Sequence, residues 1–463
     1  MMWVLLACDG QQVPAGGEDS GGGGAWAEVA GAPADGLGNA VVAAGDLNGD
    51  GDPDLLAAAY LGNRVCAIFG PLAPGDGTLD SRPASCLVGE VDTDYAGYGM
   101  ASVGDVTGDG FGDVMVGSIG NAEAGINAGK VYLVAGPLSP GTAPLDQAAV
   151  TTWLGETEQD FAGVRVASGG DLTGDGEPDL LVGASGFDGE GGGGGRAYLL
   201  SGPHLPGTFS LADAHSSVTG LGAPPPPPHG AFGTGDFVGD ALVGATDFDG
   251  DGVDDLALGA SGDGTLGLNA GKVAVFFGPV DAGAWLVTDA DVTLFGEAEL
   301  SYTGTPLVGA PDLTGDGRDD LLVSADVLGP GVVYIVSPAV GQASVTEAVS
   351  RFEGESEGDL FGSALATPAD LDTDGVLDFA VGAPGADRAA FEAGAVWWFA
   401  GPFANGVTAT SSGIAIEGQA RAESFGSALD VADVGNGERG LVVGARNSNA
   451  NGGFSGMLYL FDL

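Results

Sequence analysis

The stretch Asp-Leu-Asn-Gly-Asp-Gly-Asp-Pro-Asp at 46–54 constrains this chain more than any other, because it returns. It recurs as Asp105–Asp113, Asp171–Asp179, Asp247–Asp255, Asp312–Asp320 and Asp370–Asp378, and a worn copy begins at Asp433. The six full copies place acidic, amide or hydroxyl side chains at positions 1, 3 and 5, an acid at 9 and glycine at 6. Such a loop can cage a hard cation with oxygen, and calcium takes six to eight oxygens from carboxylates and backbone carbonyls. The glycine permits the tight bend the cage requires.

The candidate ligands follow position by position, with position 7 contributing its backbone carbonyl. Loop one offers Asp46, Asn48, Asp50, Asp52 and Asp54; loop two Asp105, Thr107, Asp109, Phe111 and Asp113. Loop three offers Asp171, Thr173, Asp175, Glu177 and Asp179; loop four Asp247, Asp249, Asp251, Val253 and Asp255. Loop five offers Asp312, Thr314, Asp316, Arg318 and Asp320; loop six Asp370, Asp372, Asp374, Val376 and Asp378. A neutral hydroxyl is a poorer calcium ligand than a carboxylate, so the loops with Thr107, Thr173 and Thr314 should bind more weakly. The seventh copy, Asp433-Val434-Gly435-Asn436-Gly437, is shorter and has Gly440 where the closing acid should fall, so no calcium is expected there.

The first aspartates fall at 46, 105, 171, 247, 312, 370 and 433, a period near 60 residues. A repeat of that size with turn signals throughout means stacked supersecondary units. Each unit reads as four strands: a glycine-containing entry and short strand, the acidic loop, an unbroken apolar run such as Leu180-Leu181-Val182, a third strand such as Val396-Trp397-Trp398-Phe399, and a fourth such as Thr152-Trp153-Leu154. An unbroken apolar run suits a strand covered on both faces. The third strand mostly stops at Gly-Pro, because proline cannot donate to a ladder. The predicted fold is all-β: a seven-bladed β-propeller of four-stranded antiparallel blades. The last unit ends at its third strand, Met457–Phe461, and Ala25–Ala30 reads as a stray fourth strand, so the N-terminal strand is expected to close the ring.

The formal charge of -52 repels nucleic acid and anionic lipid, which removes nucleic-acid binding from consideration. The 89 glycines would suggest disorder, but they sit in phase with the repeat. Residues 1–8 resemble a signal with a bacterial lipobox, Leu5-Leu6-Ala7-Cys8, which implies lipidation at Cys8, although no basic residue precedes it. Residues 9–24 read as a Gly-rich linker, and 25–463 as the propeller. Cys66 and Cys86 lie on strands three and four of the first unit, where they can be bridged or remain two buried thiols. Insertions at Gly191–Gly195 and Pro224–Pro228 read as surface loops, as do His204, His215 and His229. Gly129-Lys130 and Gly271-Lys272 lack the spacing of a phosphate loop. Arg64, Lys130, Arg196 and Lys272 recur at the start of strand three; they can neutralise nearby acids, but solvated cations are the default expectation.

The units resemble FG-GAP repeats, the blades of the integrin alpha-subunit propeller. The matching residues are Phe361-Gly362, the loop Asp370–Asp378 and Gly382-Ala383-Pro384. The resemblance implies calcium in the loops on one ring face and a ligand on the opposite face. It supports a calcium-stabilised, envelope-anchored or secreted binding or adhesion scaffold, expected to be a monomer, with a protein or glycan as ligand and membrane contact through the lipid anchor alone. No catalytic set stands out, so an enzyme is not expected. The alternatives are a polysaccharide lyase or hydrolase working at the central channel, and a purely architectural surface protein.

Overall fold

The apolar runs after the acidic loops become strands whose every residue is buried, as in Asp113–Ser118, Asp179–Ala184 and Asp320–Ala325. Such a strand needs cover on both faces, and packed neighbouring sheets supply it. The computed structural model describes residues 25–71, 75–188, 193–222, 235–327, 329–403, 406–409, 413–435 and 438–462. Cys8, the linker 9–24 and the prolines 224–228 lie outside the described residues.

Seven sheets form the seven blades of a propeller. Blade one contains Val41–Gly45, Asp54–Ala59, Arg64–Ile68 and Ala84–Val88, and blade two Ala96–Gly104, Asp113–Ser118, Lys130–Val134 and Thr151–Leu154. Blade three contains Arg165–Gly170, Asp179–Ala184, Arg196–Leu200 and Ser216–Thr219, and blade four Ala241–Val243, Leu256–Ala260, Lys272–Phe276 and Val292–Phe295. Blade five contains Leu307–Ala310, Asp320–Ala325, Val332–Val336 and Ser350–Glu353, and blade six Ala364–Leu365, Phe379–Ala383, Ala395–Phe399 and Ile414–Glu417. Blade seven takes Phe425–Gly435, Glu438–Ala445 and Met457–Asp462 from the end of the chain and Ala25–Ala30 from its start. Ala25–Ala30 runs antiparallel to Met457–Asp462, with Val29 opposite Leu458, and closes the ring.

The core is distributed over the seams. Each of seven apolar clusters draws side chains from two adjacent blades, and one of them joins blade seven to blade one through Val29, Leu458, Leu55 and Cys66. The seam between blades five and six is aromatic, with Phe352 packed edge-on to Phe379 at 4.9 Å between centroids.

A fifth strand, absent from the sequence reading, joins most blades. The segment before each fourth strand lies parallel along the outer strand of the previous blade. Gly75–Thr78 adds to blade seven, Gly141–Pro144 to blade one, Gly207–Ser210 to blade two, Gly283–Leu286 to blade three and Gly406–Ala409 to blade five. Blade four has a single bridge of this kind, Phe295 with Ser344. Parallel pairing with only four residues is easily overlooked, because its sequence mark is no more than a glycine followed four residues later, in all but Gly406, by Leu or Val.

Backbone contact between blades explains the glycines in the repeat. At the seam of blades six and seven, Gly394 pairs with Phe425 and holds φ at +85°. A methyl group on Gly394 would sit 2.1 Å from the Phe425 carbonyl oxygen, and one on Gly382 would sit 2.1 Å from that of Gly426. Gly129 and Gly271, the glycines of the two Gly-Lys pairs, make the same contact with Ala162 and Thr303. Gly375, in acidic loop six, also has a positive φ of +89°, but its methyl would meet nothing within 4 Å. Gly394→Ala is therefore expected to cost roughly 2–4 kcal/mol, from left-handed strain and a displaced seam, while Gly375→Ala costs about 1 kcal/mol. Chemical denaturation of both variants checks this; equal losses would refute the seam argument.

Candidate functional site

In an antiparallel blade the connections alternate between the two ends. The loops joining strands one and two therefore share a ring face with those joining strands three and four. The loops joining strands two and three, and those between blades, occupy the opposite face. All six full acidic loops thus lie on one face.

Each loop is shaped by its own carboxylates. The position-1 aspartate accepts hydrogen bonds from loop amides: Gly49 and Gly51 donate to Asp46 at 2.7 and 2.9 Å, and Gly250 and Gly252 to Asp247 at 2.7 and 2.9 Å. The position-7 amide donates to the position-5 acid in all six, as Val253 does to Asp251 and Val376 to Asp374, both at 2.8 Å. The position-9 aspartates Asp54, Asp113, Asp179, Asp255, Asp320 and Asp378 are buried. Asp255 accepts from the Phe248 amide and from the Gly278 amide of the Gly-Pro turn, both at 2.7 Å. Gly70, Gly136, Gly202 and Gly401 donate in the same way in their own blades. The closing acid therefore ties strands one, two and three together, a role the sequence reading had not given it. Burial pushes Asp255 and Asp320 up to about 6, with the neighbouring Asp249 and Asp316 charges adding to the rise.

The loops differ in what they offer an ion. Carboxylate oxygens of Asp247, Asp249 and Asp255 converge within 4.8 Å of one another, as do those of Asp370, Asp372 and Asp374. These two clusters could hold a metal ion. Asp370 Oδ1, Asp171 Oδ1 and Thr173 Oγ1 are buried without a hydrogen-bond partner, which fits oxygens set aside for a cation. In loops two and five, the Thr107 and Thr314 hydroxyls lie 3.4 and 3.2 Å from the closing carboxylates Asp113 and Asp320, to which they donate. Loop five carries its own cation: Arg318 Nη2 lies 3.0 Å from Asp316 Oδ2. In blade seven, Gly435 pairs directly with Glu438, so strands one and two run on where the other blades have a nine-residue loop.

Neighbouring loops also touch. Asp254 accepts from the Asp171 amide at 2.7 Å, and Asp319 from the Asp247 amide at 3.1 Å. These position-8 acids went unnoticed in the sequence because no ligand pattern includes them.

On the opposite face, the basic residues expected to be solvated are paired, Lys130 and Lys272 buried and Arg64 and Arg196 half-buried. Lys130 Nζ lies 2.8 Å from Glu90 of the previous blade and 2.7 Å from Glu123, and Tyr132 donates to the same Glu90 at 2.7 Å. Arg196, Glu156 and Tyr198 repeat the arrangement one blade on. Lys272 bridges Asp236 and Asp263 at 3.0 and 2.7 Å, and Arg64 pairs with Asp35. Carboxylates on the connection from the previous blade, Glu90, Glu156 and Asp236, enclose these cations and account for the burial. His204 is half-buried, edge-on to Trp153 and 3.0 Å from the Pro178 carbonyl; His215 lines the same cavity, of about 250 Å³, and His229 lies outside the described residues. Cys66 and Cys86 face each other across strands three and four and are joined by a disulfide, with Cα atoms 4.1 Å apart.

A ring of seven blades with an oxygen-rich loop in six of them defines a propeller of repeated units, two of whose loops could hold a metal ion. The chain carries FG-GAP repeats, matched at residues 37–79, 162–200 and 361–398, each stretch having the seam glycine Gly38, Gly163 or Gly362 as its second residue. It is similar to integrin alpha-5 of Xenopus laevis, 33% identical over 32% of this chain and 14% of the integrin. It is also similar to integrin alpha-PS2 of Drosophila melanogaster, 31% identical over 33% of this chain and 12% of that protein. A third similarity is to phosphatidylinositol-glycan-specific phospholipase D of Rattus norvegicus, 33% identical over 35% of this chain and 18% of the enzyme. These matches span less than a fifth of each relative. No helix among the described residues is long and apolar enough to cross a membrane.

Lys272 and its two aspartates are each less than a tenth exposed, whereas Arg388, Glu355 and Glu417 are about a third exposed. Lys272→Met leaves two carboxylates buried without a cation and is expected to cost roughly 3–5 kcal/mol. Arg388→Met, in solvent-screened pairs, is expected to cost about 1 kcal/mol or less. Urea unfolding of the two variants separates them.

Proposed function

We propose that the chain is a calcium-stabilised binding scaffold, displayed on a cell envelope or secreted, that takes a protein or glycan ligand on the ring face away from the acidic loops. The observation that carries this reading is a crown of exposed apolar side chains on that face. Leu61, Ile126, Leu266, Val327, Phe391 and Phe454 tip the loops between strands two and three in six blades, each 46–63% exposed. Scattered exposed apolar residues are ordinary, but one at the same place in blade after blade is a surface held ready for contact. The twelve basic residues do not compete for this role, since several are spent inside the seams.

The acidic loops support the stabilising half of the proposal. Calcium would be held most tightly by Asp247, Asp249, Asp251 and Asp255 and by Asp370, Asp372, Asp374 and Asp378, with the carbonyls of Val253 and Val376. Loop one follows, and the Thr-bearing loops come last, loop five most weakly because Arg318 already neutralises Asp316. An ion bound at a hundredfold excess over its dissociation constant adds about 2.7 kcal/mol per site. Chelation is therefore expected to lower the melting temperature, and added calcium to restore it. Calorimetric titration should lose its tightest sites in Asp249→Asn with Asp372→Asn, and gain affinity in Arg318→Gln. An unchanged melting curve under chelator would count against the loops as calcium sites.

The binding half has its own test. Ile126→Ser, Leu266→Ser and Phe391→Ser together should leave stability within about 1 kcal/mol, since the side chains are exposed. The same variant should lose binding on glycan and extracellular-protein arrays by tenfold or more, and unchanged binding would remove the crown from the proposal. The likeness to phospholipase D favours a second reading, in which the propeller belongs to a hydrolase; release of phosphatidic acid from a phosphatidylinositol-glycan by the purified chain would establish it.

A further inference from the structure

His204 stands where the repeat calls for an apolar side chain. In blades two, four and six the residue after the Gly-Pro turn is a buried plug, Leu138, Val280 or Phe403. His215 is a second departure. Its backbone carbonyl accepts from the Gly283 amide at 3.2 Å, as that of Val150 accepts from Gly207 at 3.0 Å one blade earlier, so the position needs no imidazole. Trp153 and Phe209 are a third. They lie side by side in register between the outer strand of blade two and its added strand, where other blades pair Leu87 with Ala143, Val218 with Trp285 and Phe352 with Thr408. All four residues line one cavity of about 250 Å³ between blades two and three. The connection of strands three and four forms it, so it lies on the side of the acidic loops, apart from the crown.

We propose that this cavity takes the tyrosine side chain of a partner protein, with the phenol hydroxyl donating to His204 Nδ1. The tautomer supports this. His204 Nε2 lies 3.0 Å from the Pro178 carbonyl, which can only accept, so Nε2 carries the ring proton and Nδ1 holds a lone pair. Nδ1 has no hydrogen-bond partner among the described residues. Burial pushes the His204 pKa down, the bond to Pro178 opposing it, so the imidazole stays a neutral acceptor.

The rest of the lining selects among ligands. Thr151 Oγ1 already donates to the Leu205 carbonyl, Ser210 Oγ accepts from the Ala212 amide, and Asp213 is exposed. A sugar would bring several hydroxyls to this half-apolar space, and each one buried without a partner costs roughly 1–3 kcal/mol. A phenol brings one hydroxyl for one acceptor, and a flat ring for walls made of Trp153 and Phe209. A metal is not indicated, because among the described residues the ligand atoms that converge belong to acidic loops four and six. Leu205 and Phe209 are 64% and 40% exposed, an apolar lip that suits the neighbours of a tyrosine in a chain.

The chain has three histidines, so imidazole nitrogen NMR on the full chain reads the site directly. p-Cresol, the tyrosine side chain alone, is expected to shift His204 Nδ1 saturably, and toluene to bind about tenfold more weakly because it lacks the hydroxyl. His204→Leu installs the residue of blade two; it should keep the melting temperature and, read at His215, bind p-cresol about tenfold more weakly. An acetylated Leu-Tyr-Leu amide should bind about tenfold more tightly than p-cresol by covering the lip. The proposal is overturned by an unmoved His204 Nδ1, by toluene or methyl glucoside binding as tightly as p-cresol, or by unchanged p-cresol binding in His204→Leu. A peptide no tighter than p-cresol overturns the tyrosine and leaves a free phenol. The crown variant, which touches none of these residues, should bind p-cresol unchanged, so the two sites fail separately.

Discussion

The ring depends on one contact, the approach of backbone to backbone between adjacent blades. Gly117 meets Gly163, Gly183 meets Gly239, Gly259 meets Gly304, Gly382 meets Gly426 and Gly444 meets Gly38, each with a carbonyl so near that a methyl group would lie about 2 Å from it. Blades this close cover both faces of strands two and three, which can therefore be apolar on both sides. The seven apolar clusters follow from that spacing. So do the buried cations on the face opposite the acidic loops, where Lys130 or Lys272 can reach a carboxylate of the neighbouring blade only because the seam is narrow.

The acidic loops belong to the same construction. The closing aspartate of each loop is buried and spends its oxygens on amides of its own blade, including that of the Gly-Pro turn after strand three in five blades. The outer acids fold the loop by accepting from its own amides. These bonds set the oxygens in place and concentrate negative charge that burial makes costly, as the rise of Asp255 to about 6 records. A cation bound there would relieve a strain the loop already contains. Arg318 shows the same need met from within: where a guanidinium reaches Asp316, the loop has supplied part of its own counter-charge.

Much of this fold was legible because the repeat displays it seven times. Phase alone placed the strands and the ring closure, and the family resemblance implied the acidic face. What remained hidden has a common cause: it lies between repeats rather than within them. Arg64 and Lys272 looked like solvated cations because their partners, Asp35 and Asp236, belong to connections whose distance in space does not follow from spacing along the chain. Asp254 and Asp319 looked like filler in a ligand pattern, yet each binds the neighbouring loop. Gly129 and Gly271 were read against a phosphate loop, when the informative partner was the backbone of the next blade. The parallel strands, four residues long, leave too faint a pattern of their own.

Symmetry also separates what the fold requires from what it leaves free. The seam glycines, the closing aspartates and the apolar second strands recur because each blade must hold its neighbour. The loop tips on the far face recur only in character: Leu61, Ile126, Val327, Phe391 and Phe454 are apolar but differ in size and shape, and blade three instead buries Phe187 beneath Arg196. Positions under a packing constraint converge on one residue, as the glycines do. Positions that share exposure and apolar character while varying in shape carry no packing constraint, which is the ground on which the proposed ligand is placed there. In the proposed function, stability accordingly rests on the acidic face and in the seams, and recognition on the crown.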